Sequence, residues 1–84
     1  TPQSLVVIPN PFNPSAFIRL PAGLKRGYFT LKVFDVKGKM VRDLTNRVVN
    51  DCALFDGTGL ATGTYVLRLA GTGKSKFVKL ELIR

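Results

Sequence analysis

Nothing limits the fold of this chain more than the stretch Tyr28 to Leu44, YFTLKVFDVKGKMVRDL, in which two alternating runs flank turn-forming residues. Phe29, Leu31 and Val33 fall on one side, with Tyr28, Thr30, Lys32 and Phe34 on the other. That period of two belongs to a strand with one face in a core. A second run covers Met40 to Leu44. Between them, Asp35-Val36-Lys37-Gly38 sets a turn-starting Asp ahead of a glycine free to take positive φ. The expected product is a hairpin with a type I turn closing in a bulge, and not a helix.

The rest of the chain repeats this alternation of short runs and breaks. Leu5 to Ile8 reads as a strand, ended by Pro9-Asn10-Pro11-Phe12-Asn13-Pro14, whose prolines deny donors to any ladder and predict a crossover. Ala16 to Leu20 resumes alternation, with Phe17 and Arg19 opposite Ile18 and Leu20, until Pro21-Ala22-Gly23. Val48 to Phe55 reads as a fifth strand with two competing phases, so its register stays open. After the turn Asp56-Gly57-Thr58-Gly59, Thr64 to Ala70 points Tyr65, Leu67 and Leu69 inward and Arg68 outward. Gly71 to Lys74 then turns the chain into Ser75 to Ile83, where Val78, Leu80 and Leu82 form the expected core side. About seven short strands punctuated in this way predict an all-β fold, an Ig-like β-sandwich of antiparallel strands.

Size and charge narrow the class of partner. At 84 residues the chain is expected to be a single domain, 1–84, excised from a longer protein, since it begins and ends in sheet-like sequence. Its one cysteine, Cys52, allows no internal disulfide and leaves the redox compartment undecided. With 13 Lys and Arg against 5 Asp and Glu, the formal charge of +8 draws it to anionic surfaces: nucleic acid, lipopolysaccharide or acidic polysaccharide. No apolar run approaches the roughly 20 residues of a membrane span, so no transmembrane segment is expected.

Catalytic chemistry finds little to work with. The chain has no His, hence no conventional base for a Ser or for Cys52 and no imidazole for a metal. Asp35, Asp43, Asp51, Asp56 and Glu81 are scattered without acid–base spacing; Asp35 and Asp56 read as turn residues and Cys52 as a small buried apolar one. Gly71-Thr72-Gly73-Lys74-Ser75 mimics the end of a phosphate-binding loop, yet Arg68 stands where the leading glycine belongs and a strand, not a helix, follows. Nucleic-acid binding would need several exposed rings on one sheet face, whereas most Phe fall at core or crossover positions and the lysines suit a solvated sheet edge. No enzyme activity, cofactor or metal is expected.

Leu60-Ala61-Thr62-Gly63-Thr64-Tyr65 has the form of a tyrosine corner, in which the Tyr hydroxyl returns to upstream backbone as the chain enters a sandwich strand; the plainer alternative is an ordinary buried Tyr65. Taken with Ile8 to Pro14, Leu31 to Asp35, Lys37 to Arg42 and a Lys-bearing last strand, it resembles in order and spacing the C-terminal sorting domains of type IX secretion cargo (type A). These in turn resemble the Ig-like domain of the flagellar hook-capping protein. The likeness runs from Val7 to Arg84. Many relatives carry Trp-Asp-Gly and a longer loop where this chain has Phe55-Asp56-Gly57 and a short one, which leaves the branch of the family open.

The resemblance implies a non-catalytic signal at the end of a secreted protein, following an N-terminal cargo domain of the parent chain. It implies passage through the periplasm of a Gram-negative, Bacteroidetes-like bacterium to the cell surface. Partners would be an outer-membrane translocon or shuttle and a sortase-like peptidase, with anionic lipopolysaccharide or glycan a further possibility; nucleic acid is not expected. The positions carried over for recognition are Pro9, Asn10, Pro11, Gly63, Tyr65, Lys76 and Lys79, with Lys74 and Arg84 completing the basic last strand. The high charge keeps a second reading open: a basic accessory module holding a secreted polysaccharide hydrolase on glycan or cell surface.

Overall fold

The computed structural model describes residues 5–11, 13–21, 27–71 and 74–83, with Lys74 given by its backbone. Seven strands follow one another: β1 (Val6–Ile8), β2 (Ser15–Arg19), β3 (Phe29–Asp35), β4 (Met40–Asp43), β5 (Cys52–Asp56), β6 (Gly63–Gly71) and β7 (Lys74–Leu82). They form two antiparallel sheets, ordered β1-β2-β5 and β4-β3-β6-β7. The predicted all-β sandwich is the observed architecture. Its only helical piece among the described residues is a single 3-10 turn, Thr45–Arg47.

The β3–β4 hairpin forms as its local chemistry dictates. Gly38 N–H donates to Asp35 O at 3.0 Å and Asp35 N–H to Lys39 O at 2.9 Å, with Gly38 at φ +86°. This is a type I turn followed by a glycine bulge, and only glycine takes that angle without a steric cost. The Asp35 carboxylate accepts from Lys37 N–H and Lys39 N–H, both at 2.9 Å, and so holds the turn from within. Phe29, Leu31 and Val33 are buried as their phase requires.

One expected strand is corrected. Val48 to Phe55 is not continuous: Asn50 and Asp51 stand at φ +53° and +61°, and Val49 and Cys52 exchange both backbone hydrogen bonds, at 2.8 and 3.0 Å. Two successive residues at positive φ inside a two-residue loop make a type I′ turn, a conformation that Asn and Asp adopt more readily than other side chains. The two competing phases in the sequence come from this turn, and the strand begins only at Cys52. Cys52 itself is half-buried, opposite Arg19 on the outer face of the sheet, and not the buried residue expected.

Between the sheets lies the core. Ile18 and Phe55 enter it from the three-stranded sheet, and Leu31, Val33, Leu67, Leu80 and Leu82 from the four-stranded one, all fully buried. Each such side chain contributes about 1.5 to 3 kcal/mol relative to exposure. Small residues make room for large ones across β2 and β5, where Ala16 pairs with Phe55 and Ala53 with Ile18. β7 follows the expected phase, with Leu80 and Leu82 inside, Val78 packed at the core margin and Phe77, Lys79 and Ile83 exposed.

Candidate recognition site

A two-sheet sandwich has two open seams, and among the described residues a polar side chain bridges each of them. At the first seam, β1 borders β7. Asn10, just past the end of β1, donates from Nδ2 to Lys79 O at 2.9 Å and accepts at Oδ1 from Glu81 N–H at 3.2 Å. The amide thus supplies one donor and one acceptor to alternate residues of β7, as a neighbouring strand would. Backbone groups of residues 79 and 81 must therefore point away from β6, and by the period of two so do those of Ser75 and Phe77.

At the second seam, β4 borders β5. Arg42 donates from Nη1 to Val41 O at 2.8 Å, from Nη2 to Thr58 O at 2.9 Å and from Nε to Asp56 O at 3.4 Å. The connection that it grips is held again from the far side. Tyr65 Oη donates to Ala61 O at 2.5 Å, so the expected tyrosine corner is present. Gly63, at φ +153°, lies between; a Cβ there would meet nothing within 4 Å, so backbone angle and not crowding asks for glycine.

A shallow cavity of about 260 Å³ lies at this second seam, lined by Arg42, Asp43, Leu44, Arg47, Leu54, Asp56 and Thr58. Its carboxylates are committed to the threonines two residues on. Asp56 Oδ1 accepts from Thr58 Oγ1 at 2.6 Å and Thr58 N–H at 2.9 Å, and Asp43 Oδ1 from Thr45 N–H at 3.1 Å. The Thr58 hydroxyl, then its N–H, hold the Asp56 carboxyl below the usual carboxylate range; Thr45 does the same for Asp43. Lowered pKa values in capping carboxylates are the mark of turn anchors and not of general acids. Among the described residues no group of three or more His, Cys, Asp or Glu is placed to hold a metal ion.

The expected recognition residues divide accordingly. Pro9, Asn10 and Pro11 are exposed, and the bond from Asn10 to the Lys79 carbonyl, 69 positions away in the chain, brings this segment beside the exposed Lys79. Lys76 is exposed further along β7, and Lys79 lies 3.6 Å from Glu81, which also accepts from Thr64 Oγ1 at 2.9 Å. Tyr65 is buried and Gly63 half-buried, both within the scaffold. The side chain of Lys74 and all of Arg84 lie outside the described residues, as do Lys25 and Arg26. Of the stretch that mimicked a phosphate loop, Thr72 and Gly73 lie outside as well, while Gly71 pairs with Lys74 across a β-ladder.

Sequence reasoning missed Arg42 and the clamp made by Asn10. An Asn between two prolines carries no signal for a partner so far along the chain, and an alternating Arg reads simply as exposed. Against curated proteins the chain finds no match. Residues 6–82 match the family described as the secretion system C-terminal sorting domain, nearly the whole chain, and that span contains both seams and the tyrosine corner. The chain therefore belongs to this family, the C-terminal sorting signal of type IX secretion cargo.

Proposed function

We propose that residues 1–84 form one non-catalytic, Ig-like domain that directs a preceding cargo domain from the periplasm of a Gram-negative bacterium across its outer membrane. A shuttle or translocon recognises the β6–β7 hairpin, and a sortase-like peptidase then removes the domain, leaving the cargo free or joined to anionic lipopolysaccharide. The observation that carries this reading is the family match over 6–82. The Ig-like relation is supported by the strand grouping: β1, β2 and β5 correspond to A, B and E, and β3, β6 and β7 to C, F and G, with β4 added beside C. The tyrosine corner at the start of β6, the F position, supports it too.

For recognition the edge of β7 supplies backbone groups and its lysines supply orientation. The patch of Pro9, Asn10, Pro11 and Lys79, with Lys76 beyond it, is the surface that the receptor reads; Gly63 and Tyr65 hold β6 in place beneath. The rival glycan module gains no support from the exposed rings. Among the described residues the most exposed rings are Phe17, Tyr28 and Phe77; Phe17 lies on the outer face of the three-stranded sheet, Phe77 on β7 and Tyr28 just ahead of β3, with β6 between them, so they form no row.

Fusion to a reporter in a host with the secretion machinery tests the proposal. Export is expected with the whole domain and is lost when residues 75–84 are deleted. A Lys76→Ala/Lys79→Ala variant that melts like the parent should still reduce it. Export surviving the deletion overturns the sorting role, and full export of the double variant overturns recognition through the lysines.

A further inference from the structure

The end of the last strand is symmetric in character, charged against charged and apolar against apolar. About Leu80, residues 77–83 run Phe-Val-Lys-Leu-Glu-Leu-Ile, so that Val78 mirrors Leu82, Lys79 mirrors Glu81 and Phe77 mirrors Ile83. We propose that β7 is an edge built to pair antiparallel with β7 of a second copy of this chain, and that Asn10 is the latch that keeps this edge closed.

Parity supports that register independently of composition. The Asn10 bonds establish that backbone groups at 79 and 81 face away from β6. An antiparallel partner can bond only to such outward positions. With Leu80 on a two-fold axis, 79 faces 81 of the other copy and 77 faces 83, all of them outward by the period of two. Both outward pairs between residues 77 and 83 are then complementary. Lys79 meets Glu81 twice, and Phe77, 63% exposed, meets Ile83, 50% exposed, twice on the outer face of the joined sheet. Opposite charges and apolar pairs directly across a ladder stabilise it. A two-fold contact of this kind closes on itself. Shifting the register by two positions instead sets Lys79 against Lys79 or Glu81 against Glu81.

Asn10 stands on the centre of this contact, since Lys79 O and Glu81 N–H are the groups that the second copy needs first. Sheet edges with high β-propensity are aggregation hazards unless covered, and the PNP crossover covers this one. The formal charge of +8 adds a general repulsion between copies, so moderate salt should favour the pairing.

Sedimentation velocity and melting curves of the isolated domain test this. Wild type is expected to be monomeric, while Asn10→Ala forms a dimer. Asn10→Asp, which sets an oxygen against the Lys79 carbonyl, does the same and serves if the alanine variant folds poorly. Adding Lys79→Glu to the unlatched chain weakens the dimer at least about tenfold, as two attractive pairs become repulsive. Adding Glu81→Lys as well restores it. A dimeric wild type, a folded unlatched chain that stays monomeric, or a dimer indifferent to the charge swap would each overturn the proposal. Because association is read without export, its failure is separate from any failure of the sorting role.

Discussion

Where β1 meets β7, closure of the sandwich falls to Asn10; where β4 meets β5, it falls to Arg42. Asn10 offers a donor and an acceptor and so substitutes for a strand. Arg42 offers donors alone, and it ties carbonyls 14 and 16 positions away instead of continuing a ladder. The second seam also has reserves: Tyr65 grips the same connection three residues beyond Thr58, and Asp56 braces its start. Among the described residues, the side-chain hydrogen bonds that hold the first seam are the two of Asn10. Among the described residues, redundancy separates the two seams more than bond count does, and the seam where fewer fastenings are described lies beside the strand proposed for recognition.

The sharpest way to break this comparison is Asn10→Ala. Two lost hydrogen bonds cost about 1 to 2 kcal/mol, and at concentrations too low for two copies to pair the Glu81 amide should exchange with solvent much faster while that of Thr58 is unchanged. Equal acceleration at both seams would show that they are not independent. Next comes Tyr65→Phe, which removes the bond to Ala61 O and costs about 1 kcal/mol. Combined with Arg42→Ala it should cost more than the sum of the single changes, because each fastening hides the loss of the other. Strict additivity in urea unfolding would refute redundancy. Arg42→Lys should not substitute for Arg42, since one ammonium cannot span the carbonyls of Asp56 and Thr58.

Acid gives the smallest effect. The carboxyls of Asp43 and Asp56 titrate below their ordinary value of 3.8 in the folded chain. A group depressed on folding adds stability that is complete above the unfolded value and disappears as pH falls through the folded one. Below 3.8 the amide signals of Thr45 and Thr58 should therefore shift first. The Asn10 side-chain amide, bonded between uncharged groups, should keep its bound position to lower pH. Loss of the Asn10 signal ahead of Thr58 would reverse this order.

How much of this could be read from the chain depends on the reach of each interaction. The β3–β4 hairpin, the burial of Leu31 and Val33 and the tyrosine corner were legible, because turn chemistry, alternation and a hydroxyl four residues from its acceptor are local. The start of β5 was not. Asn50 and Asp51 look like two more alternating positions until both take positive φ, and the choice between turn and strand there rests on the pairing of Cys52 with Val49 and Arg19. Among the site residues, Lys79 and Asn10 were each legible as exposed and polar, and their contact was not.

Alternation and turn residues by themselves determined seven strands and two faces for each. Only the tertiary structure decided which strands stand at the edges and what covers them. Side-chain phase specifies inside and outside, which a strand carries in its own sequence. Edge contacts such as Asn10 with Lys79 join residues 69 positions apart, and they exist only once the two sheets have packed.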